Sequence, residues 1–263
     1  MYNQSSVLIV ALLFLALIIG TEAGYRVGNR FVATTAESAK AQINTIQASL
    51  LGILALLLGF TFSLSLQRYD SRSQAVVSES NAVGTAMLRA ELLPLAFRAE
   101  TEELLRRYLD LRVDAGTISL DRVEERSAVV AESSVVLDSL WTNAIRAADQ
   151  DPSPVTTGLF IQALNEVIDA YGTRDAALNR HVPEPVLFLM FGTFVLTASL
   201  VGYASGVAGH RASFAIYILV TLVAFLVFVI IDLDRPRRGL IEVSQQSLVD
   251  LQSSYGGSKP GRN

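Results

Sequence analysis

The chain has no cysteine, two histidines and, apart from Lys40 and Lys259, no lysine. Without cysteine there is no disulfide framework, no thiolate metal site and no cysteine nucleophile; the absence says little about compartment. His181 and His210 fall in connections that the layout below puts on opposite sides of a membrane, so they do not form one site. The sequence holds no Ser-His-Asp set, no phosphate-binding glycine loop and no H-E-x-x-H. No catalytic residue is therefore assigned. Period-two alternation is nowhere sustained, which leaves no strand pattern. Charge is scarce as well: 17% of the 263 residues are charged, too few for an ordinary soluble domain of this length.

What fills the space is apolar, 51% of the chain, with a positive mean hydropathy. Four stretches carry the surplus: residues 7–21, 41–67, 185–209 and 212–231 are uncharged. About 20 residues at 1.5 Å rise cross a ~30 Å hydrocarbon layer. The last three are long enough. The first ends at Glu22 and spans only if its helix reaches from about Ser5 to Gly24. It reads as an uncleaved membrane helix, because the stretch before Val7 lacks the positive residue of a signal peptide.

These spans divide the chain into residues 1–66 (two spans), 67–184 (an insert), 185–233 (two spans) and 234–263 (a tail). Near the span ends, seven arginines lie on the side of the insert and tail, against four basic residues on the other side. The positive-inside rule then makes both termini and the insert cytoplasmic. The insert reads as four helical runs. The first ends at Pro94, the second stops at Gly116, and the third begins near Ser119, Leu120 and Asp121. The fourth is predicted to open with Ser153 as N-cap and Pro154 at the first position. With 12 arginines against 19 acidic residues, the insert is about seven units negative, which excludes a basic face for nucleic acid.

In the second span, Gly52, Leu56, Gly59, Ser63 and Gln67 recur at intervals of three or four and share one helical face, while Thr61 and Ser65 form a second small pair. Two readings stand. Small residues let membrane helices approach closely; alternatively, a pore needs small or polar side chains facing its axis, with Phe60 and Phe62 as an apolar constriction. "RYDSR" follows. Arg68 and Arg72, one turn apart, and Tyr69 serve either as interface anchors or as a channel exit whose arginines attract anions or pair with Asp70 and Glu79 of neighbouring subunits. Gly84 is expected at a close contact or a bend. Tyr108, Asp110 and Arg112 fit a helix packing by one face. Beyond the fourth span, Asp232 and Asp234 are a weak basis for a cation site and are expected to pair with Arg235 or Arg237; no metal or other cofactor is assigned.

"LLGFTFSLSLQRYDSRSQAVVSESNAVGTAMLRAELLP" and "DLDRPRRGLIEVSQQSL" resemble the bestrophin-like domain family of bacterial membrane proteins, over most of the chain. The likeness to true bestrophins is more distant and rests on the Arg-aromatic-acid-x-Arg pattern at residues 68–72 and on layout. The resemblance implies an all-α fold: four transmembrane helices with a helical cytoplasmic insert between the second and third, in a bacterial inner membrane. It implies a homo-oligomer, a pentamer in bestrophins, conducting inorganic ions across the lipid bilayer with no enzymatic activity. Leu56, Gly59, Phe60, Phe62, Ser63 and Gln67 would then line the pore, and Arg68, Asp70 and Arg72 its cytoplasmic exit. The calcium-binding acidic cluster of animal bestrophins is not matched by Asp232 and Asp234. The negative insert favours cations and the exit arginines favour anions, so the sign of the permeant ion stays open here. A scaffold or sensor whose insert binds a partner protein is the alternative.

Overall fold

The computed structural model describes residues 5–118, 122–211, 213–235 and 241–256. These residues are organised by eight helices: α1 (Ser6–Asn29), α2 (Glu37–Ala90), α3 (Leu95–Thr117), α4 (Val123–Gln150), α5 (Thr157–Asn179), α6 (Glu184–Val207), α7 (Phe214–Asp234) and α8 (Gln246–Gly256). No strand occurs among the described residues. Four of the helices are long and apolar enough to cross a membrane: α1, α2, α7 and, within the 157–207 stretch, the apolar α6. The first span thus reaches the length its sequence required, since α1 extends to Asn29. Its Arg26 pairs with Glu22 one turn earlier at 2.8 Å.

The chain forms two compact units that divide at Arg68/Tyr69, at Arg180/His181 and again in the tail, where Ile241 belongs to the first and Glu242 onward to the second. The first contains α1, the earlier part of α2, α6 and α7. Its buried residues follow helical spacing: Leu13, Leu17, Gly20, Gly24 and Gly28 on α1 face Phe194, Ala198, Gly202 and Gly206 on α6. A Cβ added to Gly24 would sit 2.8 Å from the carbonyl carbon of Ser199 and nearer still to its oxygen. One on Gly202 would sit 2.7 Å from the carbonyl carbon of Thr21. Glycine is required at both positions because the two backbones touch there, the arrangement that repeated small residues permit in membrane helices. Leu54 and Leu58 of α2, Met190 of α6 and Val227 of α7 close the apolar interior.

The second unit contains the later part of α2 with α3, α4, α5 and α8. Val83 and Ala86 of α2, Leu105 and Tyr108 of α3, Leu140 of α4, and Phe160 and Leu164 of α5 form its core, with Leu248 of α8 added from the tail. Gly84 does not end α2, which runs on to Ala90; a Cβ there would meet Leu251 of α8 at 3.3 Å, so the position serves close packing.

One helix start differs from expectation. Ser153 and Pro154 open a turn, and α5 begins only at Thr157. Asp151 is the reason. Its carboxylate accepts the backbone N–H of Ser153 at 3.1 Å and hydroxyls of Thr156 and Thr157, organising the turn before the helix. The Thr156 hydrogen bond in particular holds the Asp151 carboxyl below its ordinary range. The expected start of the third insert helix near residues 119–121, the start of the fourth span at Ala212, and the proposed partner Arg237 lie outside the described residues.

Candidate functional site

A helix embedded on one side of a bundle has one face covered by its neighbours and one bare. On α2 within the first unit, the covered face carries Leu54, Leu58, Thr61 and Ser65, all buried. The bare face carries Gly52, Leu56, Gly59, Ser63 and Gln67, all exposed. Nothing lies within 4 Å of where a Cβ on Gly52 or Gly59 would be. The two small-residue sets that the sequence left equivalent are therefore separated. Thr61, which returns its hydroxyl to the Leu57 carbonyl at 2.7 Å, and Ser65 pack inward. Gly52 and Gly59 of the other set pack against nothing among the described residues.

Leu56 and Phe60 are the most open large apolar side chains of this part of α2, 58% and 62% exposed. Phe62 is exposed by 37%. Two positions on a helix differ by roughly 200° around its axis, so Phe60 and Phe62 flank the stripe on opposite sides and do not share one direction.

In the second unit, α2 again has a bare face, with Asp70, Gln74, Ser78 and Asn81 exposed at the same spacing of three or four. Asp70, Gln74 and Ser78 line an open groove whose other wall is Gly172, Thr173, Ala176 and Arg180 of the α5 end. Arg72 behaves differently from its neighbours: it is 1% exposed. Its Nη2 donates to the carbonyl of Arg180 at 2.7 Å and its Nε to that of Ala177 at 3.2 Å. These are carbonyls at the end of α5, which lack intrahelical partners and form the negative end of the helix dipole. Arg72 thus caps α5.

Glu79 is fully buried and does not reach toward a neighbouring subunit, contrary to the expectation for it. Its carboxylate accepts from Tyr108 Oη at 2.7 Å, from Arg112 Nε at 2.6 Å and Nη2 at 3.3 Å, and from Arg174 Nη1. Arg174 Nη2 in turn donates to Gln245 Oε1 at 2.6 Å, and Arg112 lies 4.9 Å over the Tyr171 ring. A buried carboxylate needs such partners to remain charged. Burial, with the Glu79 charge added, raises the Tyr108 phenol well above its usual range. Burial would lower Arg112, but the Glu79 carboxylate outweighs it and Arg112 is held above its ordinary value. The cluster joins α2, α3, α5 and the tail. The carboxylate, the phenol and the two guanidinium groups bond to one another, which is the bonding of a structural clasp.

The two acidic residues at the end of α7 are also structural. Asp232 accepts the Ile241 N–H at 2.9 Å. Asp234 accepts the Val182 N–H at 3.1 and 3.2 Å, with His181 Nδ1 at 3.6 Å. Both carboxylates thus receive backbone donors, and Arg235 Nη1 donates to Ser6 Oγ at 3.2 Å. Among the described residues no group of three or more acidic or histidine side chains converges as a metal site.

Two features escaped the sequence. The α1–α6 glycine contact had a visible signal, Gly20, Gly24 and Gly28 at intervals of four with Gly202 and Gly206 likewise. The Glu79 clasp had none, since its members are 33 and 95 residues apart.

Residues 10–248 match the family model described as Bestrophin-like domain. A search of curated proteins gave no match. Among solved structures, a tryptophan-to-alanine variant of a bacterial bestrophin homologue from Klebsiella pneumoniae superposes with a TM-score of 0.67 at 15% identity, over 96% of this chain and 100% of that one. A leucine-to-threonine variant of the same homologue gives 0.64 at 15%, over 97% and 100%. The homologue solved by zinc phasing gives 0.61 at 16%, over 94% and 98%. At these identities the likeness shows a shared fold.

Proposed function

The chain belongs to the Bestrophin-like domain family, and from that premise we propose that it assembles as a homo-oligomeric ion channel with α2 lining the pore. The observation that carries the reading is the bare face of α2. A helix apolar enough to span the bilayer leaves Gly52, Gly59, Ser63 and Gln67 exposed on one face, with nothing of its own chain within 4 Å of where a Cβ on Gly52 or Gly59 would be. Polar side chains facing lipid are costly; the same side chains around a shared axis meet water. In this account Leu56, Gly59, Phe60, Phe62, Ser63 and Gln67 border the pathway, with Leu56 and Phe60 the apolar narrowing, and hydrophobic constrictions gate by dewetting. The later part of α2 with α3, α4 and α5 forms the cytoplasmic insert between the second and third spans and extends the conduit, with α8 contributed by the C-terminal tail. Asp70 belongs to the exit with Arg68, while Arg72 shapes it from behind by capping α5. Both termini and the insert face the cytoplasm of a bacterial inner membrane.

One protomer is too small to enclose a wide conduit, so conduction requires assembly, five copies being the bestrophin number. The test is the mass of the detergent-solubilised complex, followed by ion flux into liposomes that carry it. A ring-forming number with flux is the expected result; a monomer, or a ring that passes no ion, overturns it. A monomer favours a partner-binding scaffold instead. The apolar Leu88, Leu92 and Leu95 at the α2–α3 turn, exposed outside any spanning stretch, give that reading its docking residues.

A further inference from the structure

We propose that the conduit selects cations and that Asp70 is the residue that sets the sign. The inference rests on the channel reading above and adds the class of ion. By sequence alone the arginines of "RYDSR" oppose the acidic character of the insert. The structure removes that opposition. Arg72 is buried, and its guanidinium is spent on the carbonyls of Ala177 and Arg180. Arg68 precedes Asp70 by two positions on one continuous helix, so it points roughly 200° away from it.

What remains on the bare face of α2 in the second unit is Asp70 with the uncharged Gln74, Ser78 and Asn81. Asp70 is exposed and makes no ion pair among the described residues. A competing charge is Arg180, which lines the same groove from the α5 side. Arrayed about an axis, this bare face of α2 therefore presents one carboxylate per subunit and no arginine, Arg68 flanking the exit from around the helix. Rings of Asp or Glu are how cation channels are lined, because several negative charges at one level concentrate cations and repel anions.

The test is the reversal potential of purified protein in planar bilayers under a potassium chloride gradient, for wild type, Asp70→Asn and Asp138→Asn. Asp138 is an exposed carboxylate on α4 and controls for the general charge of the insert. The expected result is potassium permeating over chloride in the wild type. Asp70→Asn should then lower that ratio several-fold, with Asp138→Asn leaving it in place. Chloride preference, or no preference, in the wild type overturns the proposal and leaves the channel standing, and this measurement needs no variant to fold. Equal loss in both variants also overturns it, since the selectivity would then come from diffuse charge. Absence of current in any salt overturns the channel reading together with this one.

Discussion

Replacing Gly24 with leucine and, separately, Gly59 with leucine introduces the same atoms into two membrane helices with opposite surroundings. At Gly24 the first added carbon already meets the Ser199 carbonyl carbon at 2.8 Å and the Tyr203 nitrogen at 2.9 Å, where ordinary contacts begin at 3.4 Å. These are backbone atoms of α6 and do not rotate aside. Either α1 and α6 part, losing the contact along Gly20, Gly28, Gly202 and Gly206, or the side chain distorts α1. Overpacking costs about 1–3 kcal/mol, and a whole leucine against backbone belongs at the upper end. At Gly59 nothing lies within 4 Å, and replacing a helix-interior glycine by a good helix former gains up to about 1 kcal/mol. The two variants should therefore differ by roughly 4 kcal/mol, or about 10 °C in midpoint for a chain of this size. Heating the detergent-solubilised protein and measuring the surviving monodisperse fraction by size-exclusion chromatography reads the difference. Equal destabilisation by both substitutions would refute the reasoning, because it would mean that the Gly59 face is as tightly packed as the Gly24 face.

Three further outcomes follow from the same geometry. Glu79→Ala leaves Arg112 and Arg174 buried without their carboxylate and should cost about 3–5 kcal/mol, seen as loss of cooperative unfolding by circular dichroism; replacing all three residues by methionine should be milder than removing Glu79 alone. Tyr108 should resist ionisation, so a difference titration of tyrosine absorbance between wild type and Tyr108→Phe should show its step displaced upward from the usual tyrosine range near pH 10. Because its folded value is the raised one, the stability linked to this proton is complete below pH ~10 and is lost as the pH rises toward the folded value. Arg72→Met should release the end of α5, speeding hydrogen exchange in the last turn before Asn179, at a cost of about 1.5–3 kcal/mol for hydrogen bonds from a charged donor.

The spans were legible because hydropathy needs only composition: α2, α6 and α7 fall where uncharged residues run for twenty or more positions. The helical break at Pro94 was legible for the same local reason, since proline removes a donor and fixes its own backbone. Ser153 and Pro154 misled because a good local cap competes with Asp151, whose reach over the next six residues depends on how the turn closes. Helical periodicity placed Gly59 and Ser63 on one face and Thr61 and Ser65 on another. Which face is covered depends on where α1, α6 and α7 lie, and spacing carries no record of that. Likewise Arg72 and Arg68 are equivalent one turn apart in sequence; only the arrival of the α5 terminus, more than 100 residues later, separates a buried, capping arginine from a half-buried one.

The central claim is that the bare face of α2 borders an ion pathway. Ser63→Cys supplies the single thiol of a chain that has none, and its modification by a charged, water-soluble methanethiosulfonate reagent during recording across a planar bilayer tests the claim directly. The account predicts that the reagent reacts and reduces the current, whereas Ser65→Cys on the buried face is unaffected. A current that persists unchanged while Ser63→Cys is shown by mass spectrometry to be fully modified would contradict it.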